Sequence, residues 1–233
     1  MSIRKLSYIT IPIGNPLDLT RRAGRAVEES QVLLAEEIKP ARILLKALNL
    51  SFYEGEFEPQ KNEIFLFRVD ENLSADDREY LRTQVLPLSQ RVGYISGAGS
   101  PLFEDPGSIL EPLLNGFVIE RIPGVTSLGA LMMYFPGEIK KFQMAGFLSQ
   151  KSEDRSREIT RIKNLKEPTF LMETPYRRQK LLEELQVGLP GWKILLGYKL
   201  TTDEERIFLG KIKDVSSQVK VLAKGEFVAL VYP

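Results

Sequence analysis

The chain of 233 residues contains no cysteine and no histidine. The first absence excludes disulfide frameworks, thiolate nucleophiles, iron–sulfur clusters and thiolate zinc sites. The second excludes a Ser-His-Asp triad, an imidazole base and histidine-ligated metals. No metal site is expected, and any general base is an Asp, a Glu, a Lys, a Tyr or the substrate itself. An excess of one charge is missing too. With 32 Lys and Arg against 31 Asp and Glu, the formal net charge is +1, so only a local basic patch could argue for nucleic-acid binding. No apolar run approaches the roughly 20 residues that span a bilayer. The opening MSIRKLSYITIPIG reads as a first strand and not as a signal peptide. A soluble, cytoplasmic protein with no membrane partner is expected. Internal repeats and low-complexity stretches are also lacking.

What is present is enough apolar material, 43% of residues, for a substantial core in one large or two small domains. The most informative stretch is RVGYISGAGSPLFEDPG, residues 91–107. An apolar run (Val92, Tyr94, Ile95) ends in the small-residue cluster Ser96-Gly97-Ala98-Gly99-Ser100-Pro101. Asp105-Pro106-Gly107-Ser108 and a helical apolar pattern (Ile109, Leu110, Leu113, Leu114) follow, running to Asn115-Gly116. This is strand, glycine-rich loop, helix, and in open α/β sheets such loops at strand carboxyl ends are where ligands bind.

Similar units flank it. Leu6 to Ile13 reads as a buried parallel strand, and Asp18 leads a helix over Leu19 to Ser30. Val32 to Ala35 reads as a strand, and Pro40 opens a helix over Ala41 to Leu48. Leu50 to Tyr53 is a short strand, while Ile64 to Val69 fits either an extra strand or a variable loop. Ser74 caps a helix running to Leu88, and Phe117 to Ile122 is a strand. Repeated βα units imply a mostly parallel sheet in an N-terminal α/β domain, residues 1–122. Pro123-Gly124 is the hinge to a C-terminal α/β domain, residues 123–233. There, Thr126 or Ser127 caps a helix over Leu128 to Phe135. Strands are expected at Phe142 to Leu148, Pro168 to Glu173, Trp192 to Leu200, Arg206 to Ile212 and Phe227 to Tyr232, with helices at Ser152 to Asn164, Tyr176 to Val187 and Asp214 to Leu222. More adjacent strands in this half imply a mixed sheet.

Three loops share one character: Pro12-Ile13-Gly14-Asn15, Ser96 to Pro101, and Pro123 to Ser127. Spacing alone does not separate one shared crevice from three independent turns. None carries a P-loop Lys and none has GxGxxG spacing, which disfavours an NTPase and a standard dinucleotide site. Glu173-Thr174-Pro175-Tyr176-Arg177 ends a strand in a charged, aromatic group, although a Glu so placed is as readily a solvated or Arg177-paired residue. The Lys151 to Lys163 helix carries Arg155, Arg157 and Arg161 as a candidate RNA contact, diluted by Glu153, Asp154 and Glu158.

At these loops the chain resembles the tetrapyrrole methylase superfamily, in its branch of 16S rRNA cytidine 2′-O-ribose methyltransferases. YITIPIGNPLDLTRRA looks like that branch's opening strand, PIGN and D-[IL]-T. The family's AEDTR stands as Ala35-Glu36-Glu37-Ile38-Lys39. Its DAGTPxxxDPG stands as Gly97-Ala98-Gly99-Ser100-Pro101 with Asp105-Pro106-Gly107, and its PGPSA as Pro123-Gly124-Val125-Thr126-Ser127. GFLPRK, ESPHR, ELTKxxEE and GEFV then match at Gly146 to Lys151, Glu173 to Arg177, Lys199 to Glu205 and Gly225 to Val228. The motifs run in order over nearly the whole chain.

The resemblance implies a two-domain methyltransferase, homodimeric, with S-adenosylmethionine (SAM) folded in a cleft between the domains. It places Pro12, Gly14, Ser96, Gly97, Ala98, Gly99, Pro101, Thr126, Ser127, Ala145, Gly146, Phe147, Thr174 and Pro175 around SAM. Glu37 and Glu173 are the catalytic candidates, with Glu36 and Tyr176 as further sources of a base. The departures are Gly97 for Asp, Ile38-Lys39 for Thr-Arg and Tyr176 for His, and the chain ends after GEFV without the small C-terminal extension of the full-length enzymes. These bear on the acceptor more than on the cofactor. The acceptor is therefore an RNA ribose, or a small molecule such as a tetrapyrrole, and a SAM-binding protein without catalysis is the third reading.

Overall fold

Short, β-branched and aromatic runs separated by small-residue turns build the first half. In the computed structural model, which describes residues 3–101, 110, 113 and 115–233, they form β1 (Lys5–Ile9), β2 (Val32–Ala35), β3 (Phe52–Tyr53), β4 (Ile64–Arg68), β5 (Arg91–Ile95) and β6 (Val118–Ile122). Their order is β3-β4-β2-β5-β1-β6, and every pairing is parallel. Parallel strands need both faces covered, and both are. Helices α1 (Arg21–Glu28) and α2 (Ile38–Ala47) bury Ala23, Val27, Ala41 and Leu45 against Ile9, Leu33 and Ile95. On the other face Leu81, Val85 and Leu86 pack on Leu6, Tyr8, Leu34, Phe65 and Tyr94. The Asp105-Pro106-Gly107 motif, and most of the helix expected after it, lie outside the described residues.

Several boundaries differ from the sequence expectation. Strand β1 stops at Ile9 and not at Ile13, because Thr10 N–H donates to Ile122 O (3.0 Å) and Ile11 N–H to Gly99 O (2.9 Å). Thr20, and not Asp18, caps α1, its hydroxyl accepting from Ala23 N. Asp18 belongs to a preceding 3-10 turn, Pro16–Asp18, capped by Asn15. Ile64 to Val69, open on sequence, contributes β4 between β3 and β2. The helix begun at Ser74 is regular only over α3 (Ala75–Tyr80). It then widens to a π-turn, Leu81–Val85, and tightens to a 3-10 turn, Leu86–Leu88. Pro87, with no N–H and a ring that crowds the preceding turn, prevents an α-helical ending.

The second half contains α4 (Ser127–Met132), β7 (Gln143–Phe147), α5 (Ser152–Leu165), β8 (Thr169–Met172), α6 (Arg178–Gly188), β9 (Lys193–Tyr198), β10 (Arg206–Lys211), α7 (Ile212–Val219) and β11 (Phe227–Tyr232). The sheet order is β10-β9-β11-β8-β7. Only β7 and β8 run parallel, so the sheet is mixed. Leu181, Leu182 and Leu185 of α6, with Ile159 and Ile162 of α5 and Val215 of α7, cover one face. The chain divides into two compact units, Met1–Thr126 and Ser127–Pro233, where the sequence reading sets its hinge after Ile122. Among the described residues no helix is long and apolar enough to cross a membrane.

One charged group locks the edge strand β6 to the first sheet. Glu120 accepts from Arg22 Nη2 (2.8 Å) and Ser7 Oγ (3.2 Å), with Lys5 Nζ 3.5 Å away. Arg22 above all, then Ser7 and Lys5, holds its carboxyl below the usual carboxylate range against the opposing effect of burial. A folded-state pKa below the unfolded one makes this contribution full above the unfolded value of about 4.3 and lost as pH falls through the folded value. Glu120→Gln is therefore expected to flatten the acid side of the stability curve by about 0.5–1 kcal/mol. Thermal melts from pH 6 to 3 check this, and parallel wild-type and variant curves would refute it.

Candidate functional site

The parallel sheet brings the carboxyl ends of β2, β5, β1 and β6 side by side, and each end runs into a loop named from the sequence. The loops are joined to one another. The Ile11–Gly99 bridge ties the segment after β1 to the one after β5. The segment after β6 leans on Thr10, and a Cβ on Gly124 would lie 2.9 Å from Thr10 Cγ2. Gly99 adopts a left-handed φ of +72°, and a Cβ there would meet Ile13 Cγ2 at 3.2 Å. Glu36 continues the β2 ladder, its N–H donating to Ile95 O (3.1 Å), while its carboxylate accepts from Gly97 N (3.1 Å).

Thus the first unit unites Pro12, Gly14, Ser96 to Pro101 and Pro123 to Thr126 in one rim of backbone and small side chains. Gly14, Ala98 and Gly124 are exposed on it, whereas Ser96 and Gly99 are buried beneath. Bare backbone of this kind can approach a ligand closely. In Glu36 it contains a structural carboxylate whose tie to Gly97 no spacing rule announced.

In the second unit, β7 and β8 are parallel, so their loops also share an edge. A bulge between Met144 and Gly146 leaves Ala145 exposed, and Gly146 takes a φ of +62°. Phe147 is exposed beyond it. Thr174-Pro175 forms the turn after β8, with Arg177 N donating to Thr174 O (3.0 Å). Ser127 opens α4 and is half-buried.

Behind that edge sits the buried ion cluster of Arg155, the largest fully buried side chain among the described residues. Arg155 pairs with Glu173 (Nη2–Oε2 2.9 Å) and with Glu184, and donates to Leu148 O (3.3 Å) and Ser149 O (3.4 Å). Glu173 also faces Arg177 at 3.6 Å and accepts from Thr174 N at 3.0 Å. Both Arg155 and Glu173 have side chains 1% exposed. Their geometry binds the ends of β7 and β8 together and sets the Thr174-Pro175 turn. A carboxylate so buried and paired is held away from solvent, whereas Glu37 is exposed and makes no ion pair among the described residues.

The basic helix changes character accordingly. Arg155 points into the core, and the exposed Arg157 pairs with Asp154 (2.5 Å), which leaves Lys151, Arg161 and Lys163 as its exposed cations without an ion pair among the described residues. The open depression beside it, lined by Lys151, Ser152, Glu153, Asp154 and Arg157, carries both signs of charge. Tyr176 is 77% exposed, with Lys224 Nζ 4.2 Å from its ring centre, and Lys39 is exposed.

The sequence profile of the Tetrapyrrole (Corrin/Porphyrin) Methylases matches residues 5–216. The chain belongs to this family. It is a methyltransferase, and its two-sheet architecture is the family's. Proteins called "Ribosomal RNA small subunit methyltransferase I" are among its relatives. That of Leptospira borgpetersenii is 30% identical over 232 residues, covering 97% of this chain and 87% of the relative. That of Borrelia garinii is 30% identical over 231 residues, covering 97% of each. Among solved structures, uroporphyrin-III C-methyl transferase from Thermus thermophilus, complexed with S-adenyl homocysteine, superposes with a TM-score of 0.66. It is 19% identical and covers 98% of this chain and 97% of its own. Cobalt precorrin-4 methyltransferase gives 0.68 at 15% identity, covering 98% and 94%. At such identities these two structures speak to the fold.

Proposed function

We propose that this methylase transfers a methyl group from SAM to a ribose hydroxyl of small-subunit ribosomal RNA. The observation that carries the reading is the joined rim of glycine-rich loops at the carboxyl ends of the parallel strands. Relatives at 30% identity across 97% of the chain support RNA as the acceptor. They favour it over a tetrapyrrole, which is supported by the family profile and by solved structures at 19% and 15% identity. The rim fits the donor in that its exposed surface is backbone and small side chains, and its loops pack closely enough that a Cβ at Gly99 or Gly124 would press on Ile13 or Thr10.

When bound, SAM supplies a methyl group on a positive sulfur that is already a good leaving group. This chain's residues then have three tasks. They hold donor and acceptor in line, exclude water, and take the hydroxyl proton, because a ribose hydroxyl is a very weak acid. Backbone of the Ser96 to Pro101 loop, with Pro12, Gly14, Thr126 and Ser127, supplies the alignment. Ala145, Gly146, Phe147, Thr174 and Pro175 add the second unit's contacts. We assign Glu37 to the proton and Glu173 to the positioning of the Thr174-Pro175 turn. Lys151, Arg161 and Lys163 contact RNA phosphates, and the protein acts in the cytoplasm as a homodimer.

Calorimetric titration with SAM tests the donor assignment. Wild type is expected to bind, and Ser127→Trp, at a half-buried helix start, is expected to abolish binding while the circular dichroism spectrum stays native. Absence of wild-type binding at millimolar SAM would end the methyl-transfer reading. Unchanged affinity in Ser127→Trp would remove Ser127 from the site.

A further inference from the structure

Gly97 is a glycine for reasons of space. It is not among the residues with left-handed φ, so its backbone would accept a side chain. The space is taken. A Cβ at position 97 would lie 2.6 Å from Glu37 Oε1, 3.0 Å from its Cδ and 3.4 Å from its Cγ. Glu37 precedes α2 at the position where side chains usually cap a helix, yet it makes no capping hydrogen bond. Its chain runs instead across the end of β2 to lie over the Gly97 peptide. The N–H of that peptide is already bound by Glu36 Oε2 at 3.1 Å. The Glu37 carboxylate itself is exposed and has no partner among the described residues. Two side chains thus exclude each other: a carboxylate can stand here from residue 37 or from residue 97, but not from both without displacement.

We propose that Gly97 and Glu37 are one exchangeable unit. Glu37 carries the acid on the β2 loop, and Gly97 is the positioning residue whose missing side chain seats it. The motif resemblance expects an Asp at 97 beside an Asp at 37; with the longer Glu at 37 its carboxylate reaches the space that a side chain at 97 would take. The inference rests on the proposed methyl transfer. There the acceptor oxygen forms its bond to the methyl carbon as the carbon–sulfur bond breaks. The bonding pair leaves with sulfur, and the hydroxyl proton passes to Glu37 Oε1.

Single-turnover methyl transfer to small-subunit rRNA, with SAM affinity measured in parallel, tests this. Glu37→Gln is expected to lower the rate about 100-fold with SAM Kd changed less than about threefold. Gly97→Ala, which displaces only the far end of an exposed side chain, is expected to fold normally and to lower the rate of methyl transfer. The exchange variant Glu37→Gly with Gly97→Asp is expected to run at least about tenfold faster than Glu37→Gly alone, a rescue that a merely structural role would not produce. A Glu37→Gln enzyme within about threefold of wild type, or an exchange variant no faster than Glu37→Gly, would overturn the proposal. If wild type itself neither binds SAM nor labels rRNA, the proposed function fails first. If wild type is active and Glu37→Gln is equally so, only the exchange inference fails.

Discussion

Arg155→Ala is expected to lower the unfolding free energy by about 3–5 kcal/mol, the largest single-site loss in the second unit. The reason is asymmetry. The guanidinium and Glu173 are both 1% exposed, and their mutual attraction offsets the cost of taking two charges out of water. Removing Arg155 leaves the Glu173 carboxylate buried with only the more distant Arg177, 3.6 Å away, to balance its charge. It also frees Leu148 O and Ser149 O, which Arg155 holds, and leaves Glu184 with only Lys180, 3.9 Å away. Urea unfolding followed by circular dichroism measures the loss. Arg155→Met combined with Glu173→Gln, which keeps an acceptor for Thr174 N and removes both charges, is expected to recover at least about half of it. A single-variant loss below about 1 kcal/mol would show that the cluster contributes little to the fold.

Gly99→Val is expected to weaken SAM binding about 30-fold, equivalent to about 2 kcal/mol. Two effects add. A φ of +72° is hostile to a β-branched residue, and the new Cβ would press on Ile13 Cγ2, 3.2 Å away, where the β5 loop crosses the β1 loop. The Ile11–Gly99 bridge would then loosen and the rim would lose its shape. Gly55→Val is the control. Gly55 also has a positive φ, +104°, but nothing lies within 4 Å of its Cβ position, and it follows β3, the edge strand two places beyond β2 in the sheet order. It is expected to strain the backbone and leave SAM affinity within about twofold. Equal affinities for wild type and Gly99→Val in calorimetry would detach this loop from the donor site.

The parallel sheet is legible because buried parallel strands read as unbroken apolar runs: Val32 to Ala35 is assigned to the residue. The ends of elements are less so, because they depend on partners distant in sequence. Nothing near Ile9 announces that Ile11 N–H will turn to Gly99 O. Pro87 is visible as a breaker, but the π-turn before it is a response to packing of Leu81 and Val85. At the site, small-residue loops are conspicuous, and the residues that hold them are not. The signal for Arg155 was available: it stands four residues before Ile159 and seven before Ile162, on the stripe that α5 buries. Counting its charge with the basic face obscured that spacing. Glu36 and Glu37 differ only in which way the chain turns after β2, a distinction made by tertiary contact.

The methyl-transfer assignment is tested most directly by incubating the protein with SAM labelled at the methyl group and small subunits from a strain lacking this gene. The expected result is stoichiometric label in the ribosomal RNA, retained in an alkali-stable dinucleotide because a methylated 2′-hydroxyl cannot attack its phosphate. Label absent from the RNA, or label released on the alkali-sensitive mononucleotides of base methylation, would contradict it.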